Sequence, residues 1–158
     1  MDQDAFRETY HEVNERFCAF EKAVLTLQCQ CSEAEKFCIA EREGVHCNSD
    51  AGQRQCLQLL EVLRSQARFA LRATSSEQKK LLPHGKAIRI QVGGLRGLHV
   101  ALNPDHPIPA RIENVNALVS RAVERFGSLE RLPFSLIMQQ VSAYQPRIRA
   151  RHKRGDKS

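Results

Sequence analysis

Six cysteines are the residues of this chain best suited to chemistry. All lie between Cys18 and Cys56, and the last 102 of the 158 residues contain none. The spacing is Cys18-x10-Cys29-x-Cys31-x6-Cys38-x8-Cys47-x8-Cys56. Thiolates are soft ligands, and four of them meet the needs of tetrahedral zinc or of an iron–sulfur cluster. Two capping-box patterns sort the six. In Ser32–Glu35 and Asp50–Gln53, side chains three residues apart can satisfy each other's free amides at a helix start. Cys31 precedes the first cap and Cys38 lies six residues beyond it; Cys47 precedes the second and Cys56 lies six beyond. Each helix start then offers one cysteine in a loop and one on the second turn. Exposed amides and the helix dipole there favour thiolate, the form a metal needs.

The expected ligands are therefore Cys31, Cys38, Cys47 and Cys56, with Cys29 as a substitute. An iron–sulfur cluster is preferred over zinc, because His46 is the only histidine nearby and the tight C-x2-C pairs of zinc sites are absent. The competing readings are that Cys38 and Cys56 only pack, as free cysteines do, or that the cysteines form a disulfide-linked helical hairpin. Cys18 reads as a core residue, since it adjoins Phe17 and lies off the apolar seam of its helix.

The elements that must position these sulfurs can be read from periodicity. Phe6, Tyr10, Val13, Phe17, Phe20, Val24 and Leu27 alternate spacings of four and three, which predicts a helix from a cap at Asp4 to about Gln28. A second helix is expected over residues 33–43, stopped by Gly44, and a third over 51–72 with Cys56, Leu59, Leu60, Leu63, Ala67 and Leu71 on its buried face. Residues 73–86 read as a polar connection. Ile88, Ile90 and Val92 alternate with Arg89 and Gln91, and Leu98, Val100 and Leu102 alternate again beyond Gly93, Gly94 and Gly97, which predicts a β-hairpin. Three prolines make residues 103–111 a loop. Two helices follow, one marked by Val115, Leu118, Val119, Ala122 and Phe126 and ended by Gly127. The other is marked by Phe134, Ile137, Met138, Val141 and Tyr144, between Pro133 and Pro146. The expected fold is α+β and predominantly helical, a single domain over 1–146. Cysteine-bearing helices occupy 1–73, the hairpin and two C-terminal helices occupy 87–146, and 147–158 form a flexible basic tail.

The net charge of +6 is unevenly spread. Residues 1–48 carry 5 basic and 10 acidic side chains, residues 49–111 carry 10 and 4, and the tail carries 6 and 1. Arg64, Arg68 and Arg72 recur every four residues on the third helix, and Arg147, Arg149, Arg151, Lys153 and Arg154 line the tail. Such stripes suit phosphate backbones or acidic protein partners, although aromatics for base stacking are missing. The acidic N-terminus lacks the pattern of a signal or transit peptide, and no apolar run reaches the ~20 residues of a membrane span. A reducing cytoplasmic setting without a membrane partner is the expectation, and there clustered cysteines more often hold metals than disulfides. His84, His99, Asp105 and His106 lack an accompanying nucleophile or paired carboxylate, so substrate turnover is not expected. The leading function is a cysteine-ligated metal protein with an electron-transfer, redox-sensing or accessory role, working with a protein redox or assembly partner. The alternative is a metal-free nucleic-acid or protein adaptor that uses the arginines.

Overall fold

The computed structural model describes residues 14–72 and 83–145. Within them lie helix α1 (Glu21–Leu25), strands β1 (Ala34–Ile39) and β2 (Arg42–Cys47), and helices α2 (Asp50–Arg72), α3 (Pro83–Leu102), α4 (Val115–Phe126) and α5 (Phe134–Ala143). A 3-10 turn, Leu129–Arg131, joins the last two helices. The chain is α+β and predominantly helical, as its composition and periodicity imply.

The first departure concerns α1. The seam of period 3.5 predicts helix throughout residues 14–28, yet the described part of that seam is helical only over Glu21–Leu25. Residues 16–18 instead pair with β2. The Cys47 amide donates to the Arg16 carbonyl at 2.7 Å, and the Cys18 amide to the Val45 carbonyl at 3.0 Å, around an antiparallel bridge between Phe17 and His46. Two of the seam residues are consequently surface residues, Phe17 at 36% exposure and Leu27 at 58%. Leu27 also takes a positive φ of 66°, which ends the helical path. Phe6, Tyr10 and Val13 lie outside the described residues.

The second departure is at the Ser32 capping box. The expected helix over 33–43 is an antiparallel hairpin, with Ala34 opposite Cys47 and Ile39 opposite Arg42 across a two-residue turn at Ala40 and Glu41. Ser32 does not cap a helix here. Its amide donates to Asn114 Oδ1 at 3.2 Å, and its hydroxyl lies 3.4 Å from the same oxygen. A partner 82 residues away replaces the local one, and no local pattern could announce it. Ala40 adopts φ 58°, the left-handed turn conformation that a two-residue hairpin requires.

The third departure is the reverse case, since the hairpin predicted over residues 88–102 is part of helix α3. The apolar alternation there is real, but Arg89 and Gln91, its supposed solvent-facing members, are only 3% and 4% exposed. Arg89 donates from Nε to the Tyr144 carbonyl at 2.9 Å and from Nη2 to the Ser142 carbonyl at 3.1 Å, serving carbonyls at the C-terminus of α5. Gln91 Oε1 accepts from the Ala23 amide in the first turn of α1 at 3.1 Å. The three glycines read as a turn are contact points between helices. A Cβ at Gly93 would stand 2.7 Å from Val141 Cα, and one at Gly97 would stand 2.7 Å from Ile137 Cα. A Cβ at Gly94 would meet Leu63 Cδ1 of α2 at 2.6 Å.

Helix α3 begins at Pro83, inside the polar connection expected over residues 73–86, whose residues 73–82 lie outside the described ones; the other elements follow the sequence. Ser49 caps α2, its hydroxyl accepting from the Gly52 amide at 2.9 Å, so the cap sits one residue before the expected Asp50. Leu59, Leu60, Leu63 and Ala67 are buried on the face read from periodicity. Asn114 caps α4, accepting from the Ala117 amide, and Gly127 ends it at φ 91°. Val115, Leu118, Val119 and Ala122 are buried, as are Ile137, Met138 and Val141 of α5.

The glycine contacts generate a prediction whose sign distinguishes helix packing from a turn. Alanine in place of an uncontacted helical glycine would stabilise by about 1 kcal/mol. Gly97→Ala should instead destabilise the full chain by about 2 kcal/mol, because backbone must shift to admit the methyl group. Urea unfolding measures it, and a variant as stable as the parent would rule out this α3–α5 contact.

Candidate metal centre

Four sulfurs reach one place from four separate segments. Cys18 lies on the strand-like segment held to β2, and Cys47 is the last residue of β2 itself. Cys56 lies on the second turn of α2. Cys31 begins the turn into β1, its carbonyl accepting from the Ala34 amide at 3.2 Å. Together they line a small, largely enclosed cavity of about 20 Å³, with Ala19, Phe20, Glu33, Gly52 and Gln53 among the other walls.

Long-range hydrogen bonds hold this geometry. Residues 28–30 run beside Ile112, with the Ile112 amide donating to the Gln28 carbonyl at 2.9 Å and the Gln30 amide to the Ile112 carbonyl at 2.8 Å. Asn114 then holds Ser32, and the Val115 amide donates to the Gln30 carbonyl at 2.9 Å, so the Cys31 turn is fixed to the start of α4. On the opposite side, Gln53 Nε2 donates to the Phe17 carbonyl at 2.9 Å, tying α2 to the segment that carries Cys18. The Cys47 thiol donates to the Ser49 carbonyl at 3.3 Å, within the α2 cap.

The electrostatics favour protonated thiols unless a cation is present. Burial pushes Cys18 up to about 12, opposed by a backbone hydrogen bond at Phe20 and reinforced by the neighbouring Cys31 and Cys47. Burial also pushes Cys56 up to about 12, with Cys18, Cys31 and Cys47 adding to it. Cys47 is raised by burial as well, a backbone hydrogen bond at Ser49 opposing. These mutual effects place the four groups within electrostatic reach of one another. Protonated thiols are poor nucleophiles, which disfavours Cys18, Cys47 and Cys56 as attacking groups. Among the described residues, no group of three or more His, Cys, Asp or Glu side chains is arranged to hold a metal ion as it stands. The four thiols share a cavity rather than a formed coordination polyhedron.

Three of the expected ligands, Cys31, Cys47 and Cys56, meet here, and Cys18 joins them. Cys38 does not. In a helix it would have stood on the second turn; on β1 it is exposed, away from the cavity. Cys29 is buried at 1% exposure but lines a different cleft, beyond the Cys31 turn. Beside Phe17 and off the seam of an unbroken helix Cys18 reads as a packing residue, and no short-range signal reveals the pairing with β2 that brings it in. His46 turns away from the sulfurs. Its Nδ1 lies 2.9 Å from Asn14 Oδ1, while Asn14 Nδ2 donates to the Val45 carbonyl at 3.0 Å.

No protein-family model, curated protein or solved structure matches this chain.

Among the described residues, the arginine stripe does not line the sulfur cavity. Arg64 and Arg68 are exposed on α2. The Arg72 side chain and Arg147, Arg149, Arg151, Lys153 and Arg154 lie outside the described residues. His84 Nδ1 lies 3.2 Å from Lys22 Nζ, and burial together with Lys22 lowers its pKa. Burial lowers His99 too, followed by Arg121, His106 and Arg96. Neither histidine lines the sulfur cavity.

Cys29 offers a pH test separate from the four. Burial raises it from an ordinary 9.0 to about 12, against a smaller opposing effect of Arg96. Its raised folded-state pKa contributes stability that is intact below pH 9 and lost as pH rises toward 12, because the unfolded chain ionises first. The stability advantage of the parent over Cys29→Ala should therefore shrink by up to about 1.4 kcal/mol per pH unit above 9. Urea unfolding of both proteins between pH 8 and 11 reads this, and parallel pH curves would refute it.

Proposed function

We propose that this chain is a small cysteine-ligated metal protein whose ligands are Cys18, Cys31, Cys47 and Cys56. The observation that carries the reading is their convergence, from four separate segments, on a single cavity. Packing alone explains a buried cysteine one at a time; it does not explain four lining one enclosed space. A cation also resolves the electrostatic problem of the site, since it converts buried neutral thiols into thiolates that it then compensates.

The cavity dimensions support a single ion. A space of about 20 Å³ exceeds only slightly what one water molecule occupies on the same measure, about 10–15 Å³. A tetrahedral thiolate ion needs little more once the side chains close on it. An iron–sulfur cluster, the sequence-based preference, would bring several irons and inorganic sulfides and require the walls to part. Zinc suits four thiolates without a redox role, and its binding would clamp the hairpin to α2 and to the start of α4. The role that follows is accessory, through fold maintenance or metal handling, rather than substrate turnover.

Protein purified without chelators should contain one metal ion per chain. Elemental analysis separates zinc from a single iron, and acid-labile sulfide identifies a cluster. Cys18→Ser, Cys47→Ser and Cys56→Ser should each weaken metal retention by at least about tenfold, while Cys38→Ser and Cys29→Ser retain it. Binding should weaken steeply on acidification, because up to four protons compete with the ion. A metal-free protein whose unfolding is indifferent to zinc and to chelators would sink the proposal.

A second reading, the adaptor, is supported by the exposed Arg64 and Arg68 on one face of α2. It expects deletion of residues 147–158 to weaken RNA or DNA binding and to flatten its salt dependence. Filter binding at two salt concentrations tests this, and equal affinity with and without the tail would remove it.

A further inference from the structure

A cleft of about 350 Å³ opens between His99 of α3, the proline loop at Pro109 and the first two turns of α4. It shares no wall residue with the sulfur cavity. Ile112 and Leu118, at 4% and 6% exposure, join Pro109 and Ala117 to make most of its surface apolar. The volume lies at the lower end of the range for small-molecule sites, about 300–1,000 Å³.

The polar groups here are mainly cationic and not engaged with one another's opposites. Arg121 lies on the wall. Burial lowers the pKa of His99, and Arg121, His106 and Arg96 lower it further, so all three stand within electrostatic reach of the imidazole. Among the described residues, neither Arg121 nor the half-buried Arg96 has an ion pair or a side-chain hydrogen bond. Glu113 is the acid on the wall, and it too has no ion pair among those residues. His99 Nδ1 is sealed from solvent and has no hydrogen-bond partner. A proton there would bury a bare N–H, so the neutral ring carries it on Nε2, which is the donor left for a ligand.

We infer that this cleft binds a small monocarboxylate with an apolar body. Arg121 and His99 Nε2 hold the carboxylate, and Ile112, Leu118 and Pro109 hold the hydrocarbon. A guanidinium fork matches the two oxygens of a carboxylate. The wall charge favours a single negative charge, because Glu113 offsets one cation and repels a dianion more strongly than a monoanion. The apolar wall favours an organic ligand, since an inorganic anion would make no use of it.

The test titrates the full chain with phenylacetate and with its uncharged analogue phenylacetamide, following backbone amide shifts by NMR. Phenylacetate should shift the amides of residues 112–121 saturably, with a dissociation constant of about 1 mM or below, the scale open to about ten non-hydrogen atoms. Phenylacetamide should bind at least about tenfold more weakly, and Arg121→Gln should weaken phenylacetate by about tenfold while leaving the amide unchanged. Glu113→Gln should tighten phenylacetate by about threefold, a gain that loss of a merely structural residue does not produce. Lys36→Gln, in the neighbouring cleft that shares Glu113 and Asn114, should leave the affinity unchanged. The inference is overturned by an absence of saturable shifts at these amides, by equal affinity for the acid and the amide, or by Arg121→Gln without effect. Inorganic phosphate competing as well as phenylacetate, or an equal loss in Lys36→Gln and Arg121→Gln, would overturn it too.

Discussion

Pairing on both edges of β2 is the constraint from which the sulfur site follows. One edge takes β1 and the other takes residues 16–18, so β2 is the middle of three extended segments. Without the second pairing, Cys18 would continue a helix and point where the seam directs it. With it, the backbone of Cys18 is bonded two residues from Cys47, and the Cys47 amide is bonded to Arg16. Glu21 strengthens the same arrangement, its carboxylate accepting from the Val45 amide at 2.8 Å. Two sulfurs are thereby set by strand register, which tolerates no slip without turning side chains to the opposite face. The other two are set by the α2 cap and by Asn114.

Asn114 has a comparable role on the far side. One side-chain oxygen serves the Ala117 amide at the start of α4 and the Ser32 amide beside Cys31. Gly52 completes the junction, since a Cβ there would stand 2.8 Å from Asn116 Oδ1. The N-termini of α2 and α4 therefore lie close together beside the sulfurs, and their dipoles bring positive potential toward groups that a metal would render anionic. Acidic neighbours oppose this, with Glu21 raising Cys18 and Glu33 raising Cys47. Burial nevertheless outweighs these influences and raises Cys18, Cys47 and Cys56 above the ordinary thiol value.

The part of the molecule remote from the sulfurs depends on glycine instead. Helix α3 approaches α5 closely at Gly93 and Gly97, and α2 at Gly94. Glycine inside a helix costs about 0.5–1 kcal/mol relative to alanine, and close backbone approach offsets it. Arg89 and Gln91 complete the same helix by satisfying polar groups on α5 and α1. α3 is consequently a hub, joined to α1, α2 and α5 by contacts that use its polar and small residues as much as its apolar ones.

Local sequence determined α2, α4, α5 and the proline loop, because caps, helix stops and a 3.6-residue apolar period agree over each of them. It also determined that the six cysteines cluster between Cys18 and Cys56, with Cys31 and Cys47 in connections and Cys56 on the second turn of α2. Tertiary structure alone decided the rest. Ser32 abandoned its capping box for Asn114, the three glycines became a helix interface rather than a turn, and Cys18 replaced Cys38 at the cavity. In each case a partner more than 20 residues away supplied a hydrogen bond or a packing surface that the local pattern lacked. Patterns of cap and period record only what neighbours in sequence can satisfy, whereas a site of four sulfurs from four segments is fixed by contacts between segments.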